Sequence, residues 1–271
     1  MNEKAAKNRC IKYRKRILQL SQKIGALHIA PAFSCLEIVD AIYCKIMRPK
    51  SLKPVEYLDN FILSKGHGAM AQYAVLEHLG ILLESDLNNL CQPSGKLGGH
   101  PDYGVPGIEA STGSLGHGLP IAIGMALADK VFNVDRMVYV VMSDGEMQEG
   151  SVWEAMLIAP NLGLNNLAVF VDSNDFQVLD RISKINPNFY PIKEKVQSFG
   201  WETIEVDGHD TQLIYEKFIK REGKMPLMII ANTVKGKGVS FMENNPIWNY
   251  RSPSKNEYES ALKELDDDLL T

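Results

Sequence analysis

Along this chain, short runs that are apolar at nearly every position alternate with longer stretches whose apolar residues recur at helical spacing. Residues 61–63, 137–142, 167–171 and 227–231 are the short runs. They are rich in β-branched residues and lack polar alternation, as expected of strands covered on both faces of a parallel sheet. Helical periodicity between them predicts helices over 34–47, 69–80, 119–131, 151–162, 192–198 and 212–221. Alternating strands and helices predict an α/β fold, a doubly wound, mostly parallel sheet flanked by helices. The pattern reads as one domain over 1–271, with a helical extension at about 1–25 and a loop and short helix at about 243–271. The Pro- and Asn-rich stretch 243–254 reads as a surface loop, the last helix as about 257–265, and Asp266-Asp267-Asp268 as a frayed acidic end.

Charge and cysteine usage narrow the function classes. The first sixteen residues hold Lys4, Lys7, Arg9, Lys12, Arg14, Lys15 and Arg16, followed by Ile17, Leu18 and Leu20 at helical spacing. This predicts an amphipathic first helix whose basic face is solvated, because the whole chain carries a net charge of -4 and offers nucleic acid no global basic field. No apolar h-region follows the basic stretch, and the apolar runs fall short of the roughly 20 residues a membrane span needs. Cys10, Cys35, Cys44 and Cys91 form no Cys-x-x-Cys pair. They read as reduced thiols of a cytoplasmic protein, with neither a zinc knuckle nor a redox dithiol.

In a parallel α/β sheet, ligands bind beyond the carboxyl ends of the strands. The run 137–142 leads into Ser143-Asp144-Gly145-Glu146, and the run 167–171 into Asp172-Ser173-Asn174-Asp175-Phe176. Asp144 and Asn174 would share one sheet edge. A carboxylate, an amide oxygen and a main-chain carbonyl give a hard cation part of an oxygen shell, which Mg²⁺ completes with phosphate and water. Either residue alone reads equally as a helix cap or an Asx-turn.

Three of the six histidines sit in glycine-dense contexts: Gly66-His67-Gly68, Gly98-Gly99-His100-Pro101 and Gly116-His117-Gly118. Imidazoles donate to phosphate oxygens and move protons near neutral pH. His78, inside a helical stretch, reads as structural, while His209 is open between a role in the turn before the next helix and a functional one. Ser111-Thr112-Gly113-Ser114-Leu115-Gly116 runs into a helix start, a setting that suits anions. It has neither the Gly-Lys-Ser/Thr of a P-loop nor a GxGxxG pattern.

Together these segments resemble the N-terminal half of transketolase, from about His28 to the Tyr250 region. The resemblance is carried by Leu63-Ser64-Lys65-Gly66-His67-Gly68, Gly99-His100-Pro101, Ser111 to Gly116, Ser143-Asp144-Gly145 with Asn174, Glu146 to Gly150 with Trp153-Glu154-Ala155, and Thr233-Val234-Lys235-Gly236-Lys237-Gly238 continuing to Asn245. The last segment is similar to split-chain transketolases in particular. The resemblance implies thiamine diphosphate and Mg²⁺ as cofactors, with Ca²⁺ or Mn²⁺ able to replace the latter. It implies Asp144, Asn174 and the Phe176 carbonyl as metal ligands, and Gly145 against the diphosphate. Gly113 and Leu115 would receive the aminopyrimidine, with Ser114 between them also cofactor-binding, and Glu149 would link paired active sites at an interface. His67 would lie by the diphosphate and substrate, His100 near the reacting carbon and His28 on the substrate side, all three serving catalysis. Two departures stand out: His28 lacks the glycines common after it in relatives, and Asn249 stands where Trp-His-Tyr is common.

The resemblance further implies two-carbon ketol transfer from a ketose or ketose phosphate to an aldose or aldose phosphate, as in pentose-phosphate metabolism. The pyrimidine-binding domain, which supplies the activating glutamate, would come from a C-terminal partner subunit in an α2β2 assembly. The rival readings are an alpha subunit of a 2-oxo acid dehydrogenase, a 1-deoxyxylulose-5-phosphate synthase-like enzyme, and a cofactor-binding scaffold without activity.

Overall fold

The computed structural model describes residues 3–25, 27–52, 55–178 and 180–270. The termini of the expected 1–271 domain, Met1, Asn2 and Thr271, lie outside the described residues. The helices are α1 (Glu3–Ser21), α2 (Ile29–Ala41), α3 (Ala69–His78), α4 (Glu84–Asn88), α5 (Gly118–Val131), α6 (Gly150–Asn161), α7 (Ile182–Ile185), α8 (Ile192–Ser198), α9 (Thr211–Ile219) and α10 (Lys255–Leu270). The strands are β1 (Pro49–Leu52), β2 (Val55–Tyr57), β3 (Asn60–Leu63), β4 (Val138–Ser143), β5 (Leu167–Ser173), β6 (Phe176–Gln177), β7 (Asp180–Arg181), β8 (Glu202–Asp207) and β9 (Leu227–Asn232).

Five strands form one parallel sheet in the order β3-β4-β5-β9-β8, and β1-β2 and β6-β7 are small antiparallel ribbons. Side-chain alternation sends Tyr139 and Val141 of β4 into one hydrophobic cluster with α1, α2 and α3. Val138, Val140 and Met142 go into a second cluster with α5, α6 and α8. Both faces are therefore covered, which is why these runs show no polar alternation. This is the doubly wound arrangement expected.

One sheet strand has no counterpart among the predicted runs. In β8 only Val206 is buried, and Glu202, Thr203 and Glu205 interrupt its apolar residues. It lies at the sheet edge beside β9, and its partial burial leaves no continuous apolar run to read. Helix α2 also begins at Ile29, earlier than expected, because Pro31 falls in its first turn, where a missing N–H costs nothing. All thirteen of its residues are buried, so it is a central helix.

The first helix corrects the reading of a solvated basic face. Arg9 forks onto Asp40 at 2.9 and 2.8 Å, and Arg16 onto Glu77 at 2.7 and 2.9 Å. Arg14 is buried, with its guanidinium 2.6 and 2.9 Å from Glu37 and a further bond to the Lys237 carbonyl at 2.8 Å. The arginines of the basic cluster are thus the cationic half of ion pairs that seat α1 on α2 and α3, while Lys4, Lys7 and Lys12 keep the exposed positions expected. At the other end of the chain, α10 continues through Asp266-Asp267-Asp268, where fraying was expected, and Asp266 pairs with Lys15. The 243–254 loop is not wholly superficial either: Pro246–Asn249 forms a 3-10 turn with Trp248 and Asn249 buried.

A buried ion pair loses more when one partner is removed than the pair is worth, because the survivor stays desolvated. Arg14→Met is expected to destabilise the fold by about 3–5 kcal/mol in urea unfolding, and Arg14→Met/Glu37→Leu to recover part of that. Burial alone would raise the Glu37 carboxyl, but Arg14 and His209 hold it down to about 2. Its contribution is therefore complete above the ordinary carboxylate range and lost as pH falls toward 2. An acid titration of stability should lose that segment of its slope in Glu37→Gln.

Candidate active site

Parallel register brings the carboxyl ends of β3, β4, β5 and β9 to one edge, with Ser143 opposite Asp172 and Asp172 opposite Ala231. Four loops leave that edge: Ser64 to Gly68, Asp144 to Gly150, Asn174 to Gln177 and Thr233 to Gly238.

Asp144 is fully buried. Its Oδ1 accepts from the Gly145 N–H at 2.8 Å, and its Oδ2 from the Asp175 N–H at 2.7 Å and the Tyr190 hydroxyl at 3.0 Å. Among the described residues no cation hydrogen-bonds to it. Burial first, and then the neighbouring Asp172, push this carboxyl up to about 7. Asn174 donates from Nδ2 to Ser34 Oγ at 3.0 Å and to Asp172 Oδ2 at 3.3 Å, and its Oδ1 accepts from the Phe176 N–H at 3.0 Å. A Cβ on Gly145 would come within 3.2 Å of the Phe176 carbonyl oxygen. The structure therefore brings Asp144, Gly145, Asn174 and Phe176 together. Asp144, Asn174 and the Phe176 carbonyl are hard oxygen donors, and the carboxylate among them has no hydrogen-bonded cation among the described residues, a set that fits an oxygen-seeking divalent cation. Among the described residues no three His, Cys, Asp or Glu side chains cluster into a metal cage. Such a cation would need further oxygens from its ligand or from water.

Tyr190, 46 positions from Asp144, was not anticipated as part of this set. Nor was the layer beneath it. Lys65 is buried against Asp172 and donates to the Pro31 carbonyl at 3.0 Å, while Asp172 also accepts from Ser34 at 2.6 Å and from Thr233. Burial would lower Lys65, but the Asp172 carboxylate overrides it and holds the ammonium above its ordinary value. Lys235, also buried, is lowered to about 8 by desolvation and by Lys65. Glu146 is a second unforeseen element. Its buried carboxyl accepts from the Ser64 hydroxyl and from the Gly116 N–H at 2.9 Å, joining three loops.

Three of the histidines converge. The His28 ring lies 6.0 Å from His67, 5.6 Å from His100 and 5.1 Å from Tyr250, edge-on in each case. His28 Nδ1 is 2.7 Å from the Asn249 carbonyl oxygen. Burial lowers the His28 pKa, and burial followed by Lys65 takes His67 well below the ordinary value. The 111–118 loop is stapled to β3 by the Thr112 hydroxyl on the Leu63 carbonyl at 2.7 Å. Gly113, at φ 137°, packs so closely that a Cβ would stand 2.9 Å from His100 Cδ2. Ser114 is exposed and Leu115 half-buried beside it. Glu149 is exposed at the start of α6, with its Cβ against Gly116.

The other histidines part company. His117 is exposed at the start of α5 and belongs to no described ring contact with the cluster. His78 packs edge-on against Tyr13 at 5.5 Å, as a structural residue should. His209 does not cap the next helix, since Asp210 does so through Gln212 and Leu213. Instead it bonds Glu37 at 2.9 Å and accepts from the Val234 N–H at 2.9 Å. Cavities of about 330 Å³ beside Tyr43 and Tyr57 and about 370 Å³ beside Arg14 and His209 lie elsewhere, and neither is lined by His28, His67 or His100.

A parallel α/β sheet with a hard-oxygen set and an imidazole cluster at its carboxyl edge marks the class of α/β protein whose ligand site lies at that edge, here with groups that suit a phosphorylated ligand. Residues 7–257 match the family described as transketolase, thiamine diphosphate binding domain, and the chain belongs to that family. It is 37% identical over 257 residues to one subunit of an apulose-4-phosphate transketolase from Phocaeicola vulgatus, covering 94% of this chain and 91% of that one. It is 35% identical to one subunit of a 6-deoxy-6-sulfo-D-fructose transketolase from a Clostridium species, covering 93% of each. Mouse transketolase is 36% identical over 92% of this chain, which spans only 40% of the mouse protein. Among solved structures, Campylobacter jejuni transketolase superposes with a TM-score of 0.87 at 25% identity, over 98% of this chain and 43% of that one. No helix among the described residues is long and apolar enough to cross a membrane.

The loop junction makes a direct prediction. A Cβ at Gly118 would fall 2.3 Å from Ser64 Oγ. Gly118→Ala should therefore break the Ser64–Glu146–Gly116 tie and cost about 1–3 kcal/mol in thermal unfolding, as overpacking does. An unchanged melting temperature would show that the junction yields.

Proposed function

We propose that this chain is the cofactor-binding subunit of a two-chain transketolase, a cytoplasmic enzyme active in an α2β2 assembly with a second chain carrying the pyrimidine-binding domain. The reading is carried by one observation: the oxygen set of Asp144, Asn174 and the Phe176 carbonyl shares a sheet edge with the cluster of His28, His67 and His100. The whole span 1–271 serves as a single cofactor-binding domain in this reading. Bound thiamine diphosphate supplies the carbon nucleophile that cleaves and re-forms the ketose carbon–carbon bond.

The chain's own residues bind and orient. Asp144, Asn174 and the Phe176 carbonyl hold Mg²⁺, with Ca²⁺ or Mn²⁺ as substitutes, and Gly145 leaves room for the diphosphate. Gly113 and Leu115 offer main chain to the aminopyrimidine, and Ser114 between them also faces the cofactor. His67, His100 and His28 bind substrate hydroxyls and move protons, the first two from loops that Glu146 and Gly113 hold in place. Glu149, exposed at the start of α6, meets the neighbouring subunit. The open histidine face, with His100 and Tyr250 exposed, suits a site closed by a second polypeptide. Pentose-phosphate sugars, or less common sugars like those in the names of the apulose-4-phosphate and sulfofructose relatives, are the proposed substrates.

Mixing the purified chain with its C-terminal partner should give ketol transfer between sugar phosphates, and a silent mixture would favour the scaffold reading. Asp144→Ala should abolish Mg²⁺-dependent thiamine diphosphate binding in that complex; an unchanged cofactor titration would remove Asp144 from the site. His100→Ala should leave cofactor affinity intact while slowing turnover by about 10²–10⁴-fold, the range for a positioned acid–base group.

A further inference from the structure

We propose that the Asn249 main-chain carbonyl fixes His28 as the Nδ1-protonated tautomer, leaving Nε2 as an acceptor for a substrate hydroxyl rather than for an anionic oxygen. The tautomer follows from the contact alone. At 2.7 Å from Nδ1, a carbonyl oxygen can only accept, so the hydrogen must sit on Nδ1. A neutral ring then carries its lone pair on Nε2, which has no protein hydrogen-bond partner among the described residues. The alternative is an imidazolium with both nitrogens protonated. Burial disfavours that form, and the charged or ionisable groups that act on His28 are His100, Lys235 and Lys65, none of them a carboxylate.

The carbonyl is held firmly. It ends the 3-10 turn Pro246–Asn249, which starts with Asn245 Oδ1 accepting from the Ile247 N–H at 3.3 Å. Trp248 anchors the turn: it is buried, donates from Nε1 to the Phe241 carbonyl at 3.0 Å and lies beneath the Arg251 guanidinium at 4.5 Å. The turn thus contributes through its backbone, although Asn249 brings no imidazole of its own. His28 is the ring shared by the contacts to His67, His100 and Tyr250, so its free nitrogen belongs to the cluster. A lone pair there meets an O–H favourably and a phosphate or carboxylate oxygen unfavourably. The substrate portion at His28 is therefore a hydroxyl-bearing carbon, with any charged end elsewhere. This assignment of substrate rests on the transketolase reading; the tautomer does not.

The test is a long-range ¹H–¹⁵N correlation spectrum of the imidazoles in the ¹⁵N-labelled full chain at neutral pH, with His28→Gln identifying the His28 pattern. A pyrrole-type Nδ1 and a pyridine-type Nε2 are expected. A protonated Nε2, an averaged pattern or an imidazolium would overturn the proposal. Trp248→Ala should shift His28 toward averaging while the other five histidines keep their patterns. Should that variant fail to fold, the unsubstituted chain still decides. Inorganic phosphate added at constant pH should leave His28 unmoved, and conversion to imidazolium would refute the hydroxyl preference. Because these spectra need neither partner nor cofactor, ketol transfer with a wrong tautomer would sink only this inference. A correct tautomer in an inactive complex would sink only the transketolase reading.

Discussion

The buried pairing of Lys65 with Asp172 is the contact on which the site's geometry turns. It joins the loop after β3 to the end of β5, and its remaining hydrogen-bonding capacity reaches α2 through Pro31 and Ser34 and the loop after β9 through Thr233. Burying two charges is costly, and the cost is offset only where further hydrogen bonds satisfy the leftover donors and acceptors. Here they do so by drawing in the very segments that carry the site. Asp172 also accepts from the Asn174 amide nitrogen, which turns the amide oxygen to the opposite side. An interaction that contributes little net stability in this way orients a residue of the oxygen set.

The same layer separates two carboxylates only one strand apart. Asp172, buried with Lys65, is held below the ordinary carboxylate value; Asp144, buried with only neutral donors, rises to about 7. The difference is one of partners rather than depth, since both side chains are fully buried. Asp172 is internally neutralised, whereas Asp144 has its geometry fixed by Gly145, Asp175 and Tyr190 and no cation hydrogen-bonded to it among the described residues. That is the deficit a bound cation would fill.

Much of this was legible in the sequence wherever the signal was continuous. The four doubly buried strands and the helices between them show unbroken apolar runs and clear periodicity, and the strand-end positions of Asp144 and Asn174 follow from those runs. What escaped was whatever depends on long-range pairing. β8 is half polar because most of its side chains stay partly exposed, whereas β3 at the opposite sheet edge is buried and keeps its apolar run. The arginines of α1 look solvated until Asp40, Glu37 and Glu77, 23 to 61 residues away, are placed beside them. Glu146 reads as one more motif residue until Ser64 and Gly116 close on it, and Tyr190 carries no local mark of its bond to Asp144. The resemblance named His28, His67 and His100 but not the turn that holds His28, because a main-chain carbonyl leaves no imprint on residue type.

The arrangement of charge by depth follows from these parts. His28 and His67 are pressed toward neutrality by burial, and the cations that reinforce this, Lys65 and Lys235, are themselves buried. A ligand therefore meets uncharged imidazoles on one side and a carboxylate-led oxygen set on the other. Positive potential from the lysines reaches it through the protein rather than by contact. Such a surface would suit a molecule that is anionic where it could share a cation held at Asp144 and hydroxylated where it met His28. The depth of those ammonium groups thus sets the field at this edge as much as the side chains that line it do.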